Sequence, residues 1–380
     1  MKIAFVICEY NPMQNGHSYH LDMTRAKTNC DKIVCIMSGN VTQRGELSIV
    51  DKYTRAKWAI MSGADMVIEL PPQYVLTTAK YFALGAIKIA NAVKGEKYLS
   101  FGSECKDINL LKKVSQFEED EQFKKSLDEN LKQGMGYAKS FSLALENFSP
   151  EYAQILSSPN NTLAIEYLRS IRNIARDITP ICIERIGGEY HDENYREVFS
   201  SASAVRKMIE NGEWKNVKKS VPKYVFDDLS HIKSEDVALR NDRLFSLIKY
   251  TLPNAQFENV HGIKEGVENR ISNAAKSSKN INDFFDNIAT KRYTNSYLSR
   301  TVLNALIGNK FTVEKLSNDN IDFVNVLAVE SNSKDLLSQF DCAVNTKNST
   351  LLQDNLILSA DRLYSSVNHN TQSNMLIVKR

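Results

Sequence analysis

The sequence predicts an α/β protein in which a parallel sheet is covered by helices and followed by a mainly helical C-terminal region. Three observations carry that expectation. Short β-rich apolar runs alternate with amphipathic stretches through the first two hundred residues, the pattern of successive βαβ units. A polar loop follows the first apolar run directly, where open α/β sheets bind their ligands. Beyond Gly212 the strand alternation fades and helical periodicity takes over.

The elements follow in order. Ile3 to Cys8 is a compact apolar strand ended by Glu9, and an amphipathic helix runs from about His17 to Thr28. Lys32 to Met37 is the second strand; the helix from Asp51 to Ser62 stops at Gly63, and Met66 to Leu70 is the third strand. The helix from Ala79 to Val93 stops near Gly95, ahead of a fourth strand from Lys97 to Phe101. Lys106 to Asn147 is charged and helical in period, so it reads as a helical insertion or lid within the strand series. A helix from Thr162 to Ile174 and a strand from Ile181 to Arg185 resume that series. Trp214 to Tyr250, Asn259 to Ala275, Ile281 to Ala289 and Asn295 to Leu306 read mainly as helices. Phe323 to Val329 and Met375 to Val378 read as short strands around a helix at Lys334 to Phe340, a small α/β cap within 320–380. The expected organisation is an α/β domain over 1–212, carrying an insertion at 106–147, and a helical region over 213–380.

Composition narrows the function. The chain of 380 residues is 42% hydrophobic and 24% charged, which excludes a disordered or low-complexity protein. Its first apolar run is too short for a secretory or membrane segment, so the expected setting is cytoplasmic with no membrane partner. The six cysteines contain no C-x-x-C pair and read as reduced, buried thiols, with no metal site expected. With a net charge of only +3, any basic site has to show as local clustering.

The loop after the first strand carries the chemistry. It reads Glu9-Tyr10-Asn11-Pro12-Met13-Gln14-Asn15-Gly16-His17-Ser18-Tyr19-His20. Asn11-Pro12 makes a rigid turn, Gly16 permits close backbone approach, and His17 and His20 share one helix face at i and i+3. Imidazoles at a helix N-terminus can donate to phosphate oxygens and offset charge on a leaving pyrophosphate. A capping or packing histidine is the competing reading. Two of only six histidines within one turn favour the anion site.

Glu9-Tyr10-Asn11-Pro12 through Asn15-Gly16-His17 resembles the nucleotide-binding signature of the HIGH-type nucleotidyltransferase superfamily, in the form used by the bacterial tRNA(Met) cytidine acetate ligase family. Further segments resemble that family in order: Met37-Ser38-Gly39 with Gln43-Arg44-Gly45-Glu46, Gly63-Ala64-Asp65 to Glu69-Leu70-Pro71, Phe101-Gly102-Ser103-Glu104, and Ser158-Pro159-Asn160-Asn161. So do Arg185-Ile186-Gly187 with Tyr190-His191-Asp192, Ser201-Ala202-Ser203-Ala204-Val205-Arg206, Gly266-Val267-Glu268-Asn269-Arg270, and Thr290-Lys291-Arg292-Tyr293-Thr294.

The resemblance implies activation of acetate by ATP to acetyl-adenylate, then transfer of acetyl to the exocyclic amine of the wobble cytidine of elongator tRNA(Met). ATP, with magnesium, is the implied substrate, and no tightly bound prosthetic group is implied. By resemblance Ile7, Cys8 and the loop from Glu9 to His20 cradle ATP, while Gly102, Asn160 or Asn161, and Arg185 contact the nucleotide. Ser201 and Ser203 correspond to a second phosphate element, although an ordinary serine cap has the same sequence signature. His17, His20 and Gln14 are the expected catalytic residues. Gln14 departs from the family, which has His there; an amide donates to phosphate without positive charge, so the change bears on rate more than on ligand identity. The roles of Asp51, Lys52 and the Gln43 to Glu46 loop stay open between acetate, RNA and surface pairing.

For RNA, Asn287 to Val313 has no Asp or Glu, carries Lys291, Arg292, Arg300 and Lys310, and interleaves Tyr293 and Tyr297. Cations for phosphates and aromatics for stacking suit a tRNA contact, with Lys291, Arg292, Tyr293 and Arg300 as the expected residues. Two other readings remain: a small-molecule adenylyltransferase of the same fold, or a catalytically decayed ATP- and tRNA-binding protein.

Overall fold

A computed structural model of the chain describes residues 1–185, 199–232, 241–347, 355–368 and 374–380. Its first part alternates strands and helices as the apolar runs require: β1 (Lys2–Cys8), α1 (Asn15–Thr28), β2 (Lys32–Ser38), α2 (Lys52–Met61), β3 (Met66–Leu70), α3 (Pro72–Val75), α4 (Ala79–Asn91) and β4 (Glu96–Ser103). The insertion is helical, with α5 (Ile108–Gln116), α6 (Glu121–Lys132), α7 (Tyr137–Glu146) and α8 (Pro150–Ile155), before α9 (Pro159–Ile174) and β5 (Ile178–Glu184). Then come α10 (Ala202–Glu210), α11 (Trp214–Ser220), α12 (Lys223–Ser230), α13 (Asp242–Thr251), α14 (Val267–Ser277), α15 (Ile281–Ile288), α16 (Asn295–Ile307), α17 (Val313–Asn318), β6 (Phe323–Glu330), β7 (Ala343–Asn345), α18 (Leu356–Val367) and β8 (Leu376–Val378).

The eight strands of the described residues form one sheet, ordered β5-β4-β1-β2-β3-β6-β7, with β8 also paired to β6. The first five are mutually parallel, so their carboxyl ends open on one edge. Burial on both faces follows the strand period of two: Ile3 and Phe5 enter the core beneath α4 and α9, whereas Ala4 and Val6 enter the one beneath α1 and α2. Helix starts are set by caps, with Gln14, Asp51 and Ser201 each accepting from backbone N–H groups of the helix they precede.

Four expectations are corrected. The strand expected from Ile181 begins at Ile178 and includes Pro180, which is tolerated because β5 is an edge strand. Trp214 to Tyr250 is broken at Pro222 into α11 and α12, with 233–240 outside the described residues before α13. Asn259 to Gly266 is not helical: Asn259, Gly262 and Gly266 hold positive φ of 62°, 86° and 85°, so α14 starts only at Val267. The expected small cap does not stand apart. β6 runs antiparallel beside β3, with Val324, Val326, Leu327, Ala328 and Val329 buried, and Lys334–Ser338 is a 3-10 turn rather than a helix reaching Phe340. Two three-residue strands and a turn have too little apolar surface for a core of their own, and the edge of β3 supplies one.

Candidate active site

A cavity of about 360 Å³ opens at the carboxyl ends of β1 and β4. From the expected nucleotide residues it gathers Ile7, Cys8, Glu9, Tyr10, Asn11, Gln14, His17, His20, Gly102, Asn160, Arg185, Ser201 and Ser203. Arg44 and Arg206 add two guanidinium groups to that of Arg185.

At the start of α1 His17 both caps the helix and lines the cavity. The Gln14 backbone N–H donates to His17 Nδ1 at 3.2 Å, closing a capping box, while the ring still lines the cavity. With Nδ1 accepting, the neutral ring carries its proton on Nε2 as a donor. Burial, then the Arg185 and His20 charges, lower the His17 pKa to about 3; burial and Arg185 lower that of His20 to about 4. In the free protein both rings are therefore neutral donors at pH 7, not cations. His20 Nε2 lies 2.9 Å from Ser100 Oγ, which Thr24 Oγ1 also approaches at 2.6 Å, so a hydroxyl chain fixes the ring.

Gln14 takes a structural share of this turn. Its side-chain oxygen accepts from the Gly16 N–H, which leaves the amide NH2 as its donating end. That contact also explains Gly16: an added Cβ would come within 2.9 Å of the Gln14 side chain, so the glycine serves the cap and does not line the cavity. Several loop residues turn elsewhere. Met13 is buried beneath Ser62, Ser18 Oγ meets Ser62 Oγ at 3.2 Å, Asn15 donates to the Lys219 carbonyl, and Tyr19 packs on Phe199. Pro12, joined to Asn11 by a cis peptide, shapes the turn and is likewise absent from the lining.

The floor is braced by Arg55, which carries no motif signal, together with motif residues. Arg55, fully buried, donates to the carbonyls of Glu9, Ser38, Gly39 and Val50, tying the ends of β1 and β2 together. Glu9 Oε1 accepts from Ser38 Oγ and from the Gln43 N–H at 3.0 and 2.8 Å. At the β4 rim the Glu104 carboxylate accepts from Asn160 Nδ2 at 2.6 Å and Arg185 Nε at 3.2 Å, and also from Ser158 Oγ. Of the two asparagines offered as nucleotide contacts, only Asn160 lines the cavity. Asn161 is buried and saturated by Ser103 Oγ, the N–H groups of Glu104 and Cys105, and the Ile155 carbonyl, whereas Asn160 faces the cavity. Ser201 caps α10, its Oγ 3.0 Å from Ser203 Oγ, and Arg206 reaches the Asn11 carbonyl at 2.7 Å and Glu46 at 3.6 Å.

Lys52 and Asp51 do not reach the cavity. Asp51 caps α2, and Lys52 is wholly buried against Glu69 at 2.8 Å and Asp361 at 2.7 Å. Thr42, Gln43, Arg44, Glu46 and Phe101 do line it, as do Phe82, Leu163 and Tyr167, which read in sequence as ordinary core positions. The Arg185-Ile186-Gly187 and Tyr190-His191-Asp192 segments lie, Arg185 excepted, outside the described residues.

The expected RNA residues divide. Lys291 and Arg292 are exposed, and Tyr293 stacks on Tyr297 with centroids 4.8 Å apart. Lys264 sits over both rings at 5.7 and 5.8 Å, and Arg292 over Tyr293 at 5.4 Å. Arg300 is half-buried beside Tyr297. It donates to the Gln43 carbonyl at 2.9 Å, and burial lowers its pKa to about 10. Among the described residues no group of three or more His, Cys, Asp or Glu could hold a metal, and no helix is long and apolar enough to cross a membrane.

An α/β sheet whose first loop and two helix N-termini converge on a cation-lined cavity defines a nucleotide-binding protein. Residues 1–376 match the HIGH Nucleotidyl Transferase family. A tRNA(Met) cytidine acetate ligase of Clostridium kluyveri is 34% identical over 397 residues, covering 98% of this chain and 97% of its own. One from Acetivibrio thermocellus is 37% identical over 89% of this chain and 85% of its own. The crystal structure of Thermotoga maritima TmcAL bound with alpha-thio ATP superposes with a TM-score of 0.86 at 27% identity, over 100% of both chains. The chain belongs to the tRNA(Met) cytidine acetate ligase family of the HIGH nucleotidyl transferases.

Proposed function

We propose that the chain is an ATP-dependent ligase that activates acetate as acetyl-adenylate and transfers the acetyl group to the wobble cytidine amine of elongator tRNA(Met), in the cytoplasm. The observation that carries this reading is the cavity itself: donors from α1, caps from α10 and three guanidiniums converge where a triphosphate would lie, within a chain whose full length matches ligase relatives. Activation makes acetate a mixed anhydride with AMP, so the protein has to supply positioning and charge stabilisation. Magnesium, carried by ATP, would screen the triphosphate; Glu9 and Glu46 are the carboxylates on the cavity wall nearest to such a role.

In this reading His17 Nε2–H and the Gln14 amide donate to phosphate oxygens, Arg185 and Arg206 offset charge, and Asn160, aligned by Glu104, contacts the nucleotide. The paired Tyr293 and Tyr297 with Lys264, Lys291 and Arg292 receive tRNA. Arg300, on the helix that carries Tyr297, donates to the carbonyl of Gln43 on the cavity wall, and in this reading that contact links the tRNA face to the adenylate site.

Labelled acetate is incubated with ATP, magnesium and tRNA from cells lacking the gene, and label is counted in precipitated RNA. Label that requires ATP is the expected result, with His17→Ala losing at least a hundredfold of acetate-dependent pyrophosphate release while keeping its fold. Pyrophosphate release without label in RNA would instead favour a small-molecule adenylyltransferase. ATP binding without any turnover would favour a decayed binding protein.

A further inference from the structure

The cavity has two unlike walls. α1 and α10, packed on one face of the sheet through Leu21, Val205 and Ile209, supply His17, Gln14, Ser201 and Arg206. From the opposite face α4, β4 and α9 supply Phe82, Phe101, Leu163 and Tyr167. Tyr167 is 5% exposed, its ring centroid lies 6.0 Å from that of Phe101, and no described residue bonds its hydroxyl. Its hydroxyl is not sealed from the cavity, so it stands there as a donor open to a bound acceptor. Burial and the nearby Glu9 carboxylate raise its pKa far above the ordinary tyrosine value, so it stays a donor at every working pH.

We propose that Tyr167, with the apolar wall of Phe82 and Leu163, is the subsite for the carboxylic acid, the Tyr167 hydroxyl donating to its carboxylate and the wall enclosing its short alkyl group. This inference rests on the ligase reading and deepens it. In adenylate formation a carboxylate oxygen attacks the α-phosphorus, one phosphorus–oxygen bond forms, the bond to the β-bridging oxygen breaks, and its electron pair leaves with pyrophosphate. Attacking and leaving oxygens lie roughly in line, so a pyrophosphate gripped by the α1 and α10 wall puts the acid against the opposite one. The stretch of that wall formed by Phe82, Phe101, Leu163 and Tyr167 offers a single polar group and no cation, which suits a small acid with a methyl tail. Glu9 Oε1 is held by Ser38 Oγ and the Gln43 N–H, and no hydrogen bond joins the Glu9 carboxylate to the Tyr167 hydroxyl among the described residues.

The test is acid-dependent ATP–pyrophosphate exchange by the full chain with acetate, propionate and butyrate, alongside direct ATP binding. Tyr167→Phe keeps the ring, and its expected effect is a rise of tenfold or more in the KM for acetate with the ATP Kd within twofold. Leu163→Ala is expected to raise the propionate-to-acetate ratio of kcat/KM about tenfold, the worth of one methylene in a pocket. An unchanged acetate KM in Tyr167→Phe overturns the subsite, as does an ATP Kd that rises in step with that KM, which would assign the wall to the nucleotide. Wild-type chain that binds ATP yet exchanges with no acid overturns the ligase reading itself, an outcome distinct from either of these.

Discussion

His17 shows how one side chain serves fold and chemistry together. Its Nδ1 closes the capping box and its other face lines the cavity, so the burial that fixes the cap also strips the ring of charge. The pH dependence follows with a definite sign. The folded pKa values, about 3 and about 4 for His17 and His20, lie below the ordinary 6.5, so the unfolded chain takes up protons first as pH falls. Stability is complete above pH 6.5 and declines as pH drops from there towards 4. The melting temperature of the free protein should therefore fall between pH 7 and pH 5, and less steeply in His17→Asn; equal slopes for the two proteins would contradict the burial of a neutral ring. Neutral neighbours also bear on Gln14. Where the other two groups act as uncharged donors, an amide at 14 forfeits less than it would beside cations. Gln14→His is expected to change pyrophosphate release by less than about tenfold, roughly 1.4 kcal/mol of barrier, and a larger loss would mean that the cap depends on the amide.

Between elements, the contact that matters most is the loop of Gln43 to Glu46 against α16. Gly45 has φ of +79°, and a Cβ there would come within 2.4 Å of the Arg300 backbone nitrogen, so only glycine lets the loop lie on the helix. Arg300 then seals the contact by donating to the Gln43 carbonyl. Replacing Lys264 and Arg292 with alanine should weaken tRNA binding and lower the slope of log K against log salt by roughly 1.4–1.8, the share of two phosphate contacts, with the loss falling on RNA binding rather than on ATP–pyrophosphate exchange. A salt slope equal to that of wild type would place the RNA elsewhere. The same contact shows what was legible in the sequence. The strand and helix series through β4 was readable because each run is apolar at its own period, and the loop after β1 because polar residues stand where a sheet opens. The Gln43 carbonyl partner of Arg300 was not legible, because a basic residue looks alike in sequence whether it faces solvent or a carbonyl. Tyr167 and Leu163 gave no signal, since a cavity wall built from a helix's apolar face has the same spacing as core.

At the scale of the whole chain, one buried charge network joins segments that sequence reading placed in different domains. Lys52 at the start of α2 donates to Glu69 on β3 and to Asp361 on α18, 309 positions away; Asn40 binds Asp361, and Asn325 on β6 donates to Glu69 at 2.6 Å and accepts from Asn345 at 2.7 Å. No local pattern announces a pairing over that separation. Burying these charges costs desolvation, so the network adds little net stability against an apolar packing, but each partner becomes expensive to lose. Burial raises the Glu69 pKa against the pull of Lys52, and despite its own burial Lys52 has its pKa raised by Glu69 and Asp361, so it is the cation of the network. Lys52→Met should therefore destabilise the chain by about 3–5 kcal/mol, the cost of removing one partner of a buried pair. Since β6 is a strand of the same sheet and α18 supplies Asp361, we expect one cooperative unfolding transition in the wild type rather than two. Fluorescence of Trp58, buried and donating to Asp228 at 2.8 Å, should report the same midpoint as far-ultraviolet circular dichroism. In Lys52→Met the amides of β6 and α18 should exchange faster than those of β1. Two separated transitions in the wild type, or a Lys52→Met variant within 1 kcal/mol of it, would mean that the C-terminal region stands on a core of its own and that the network only decorates their boundary.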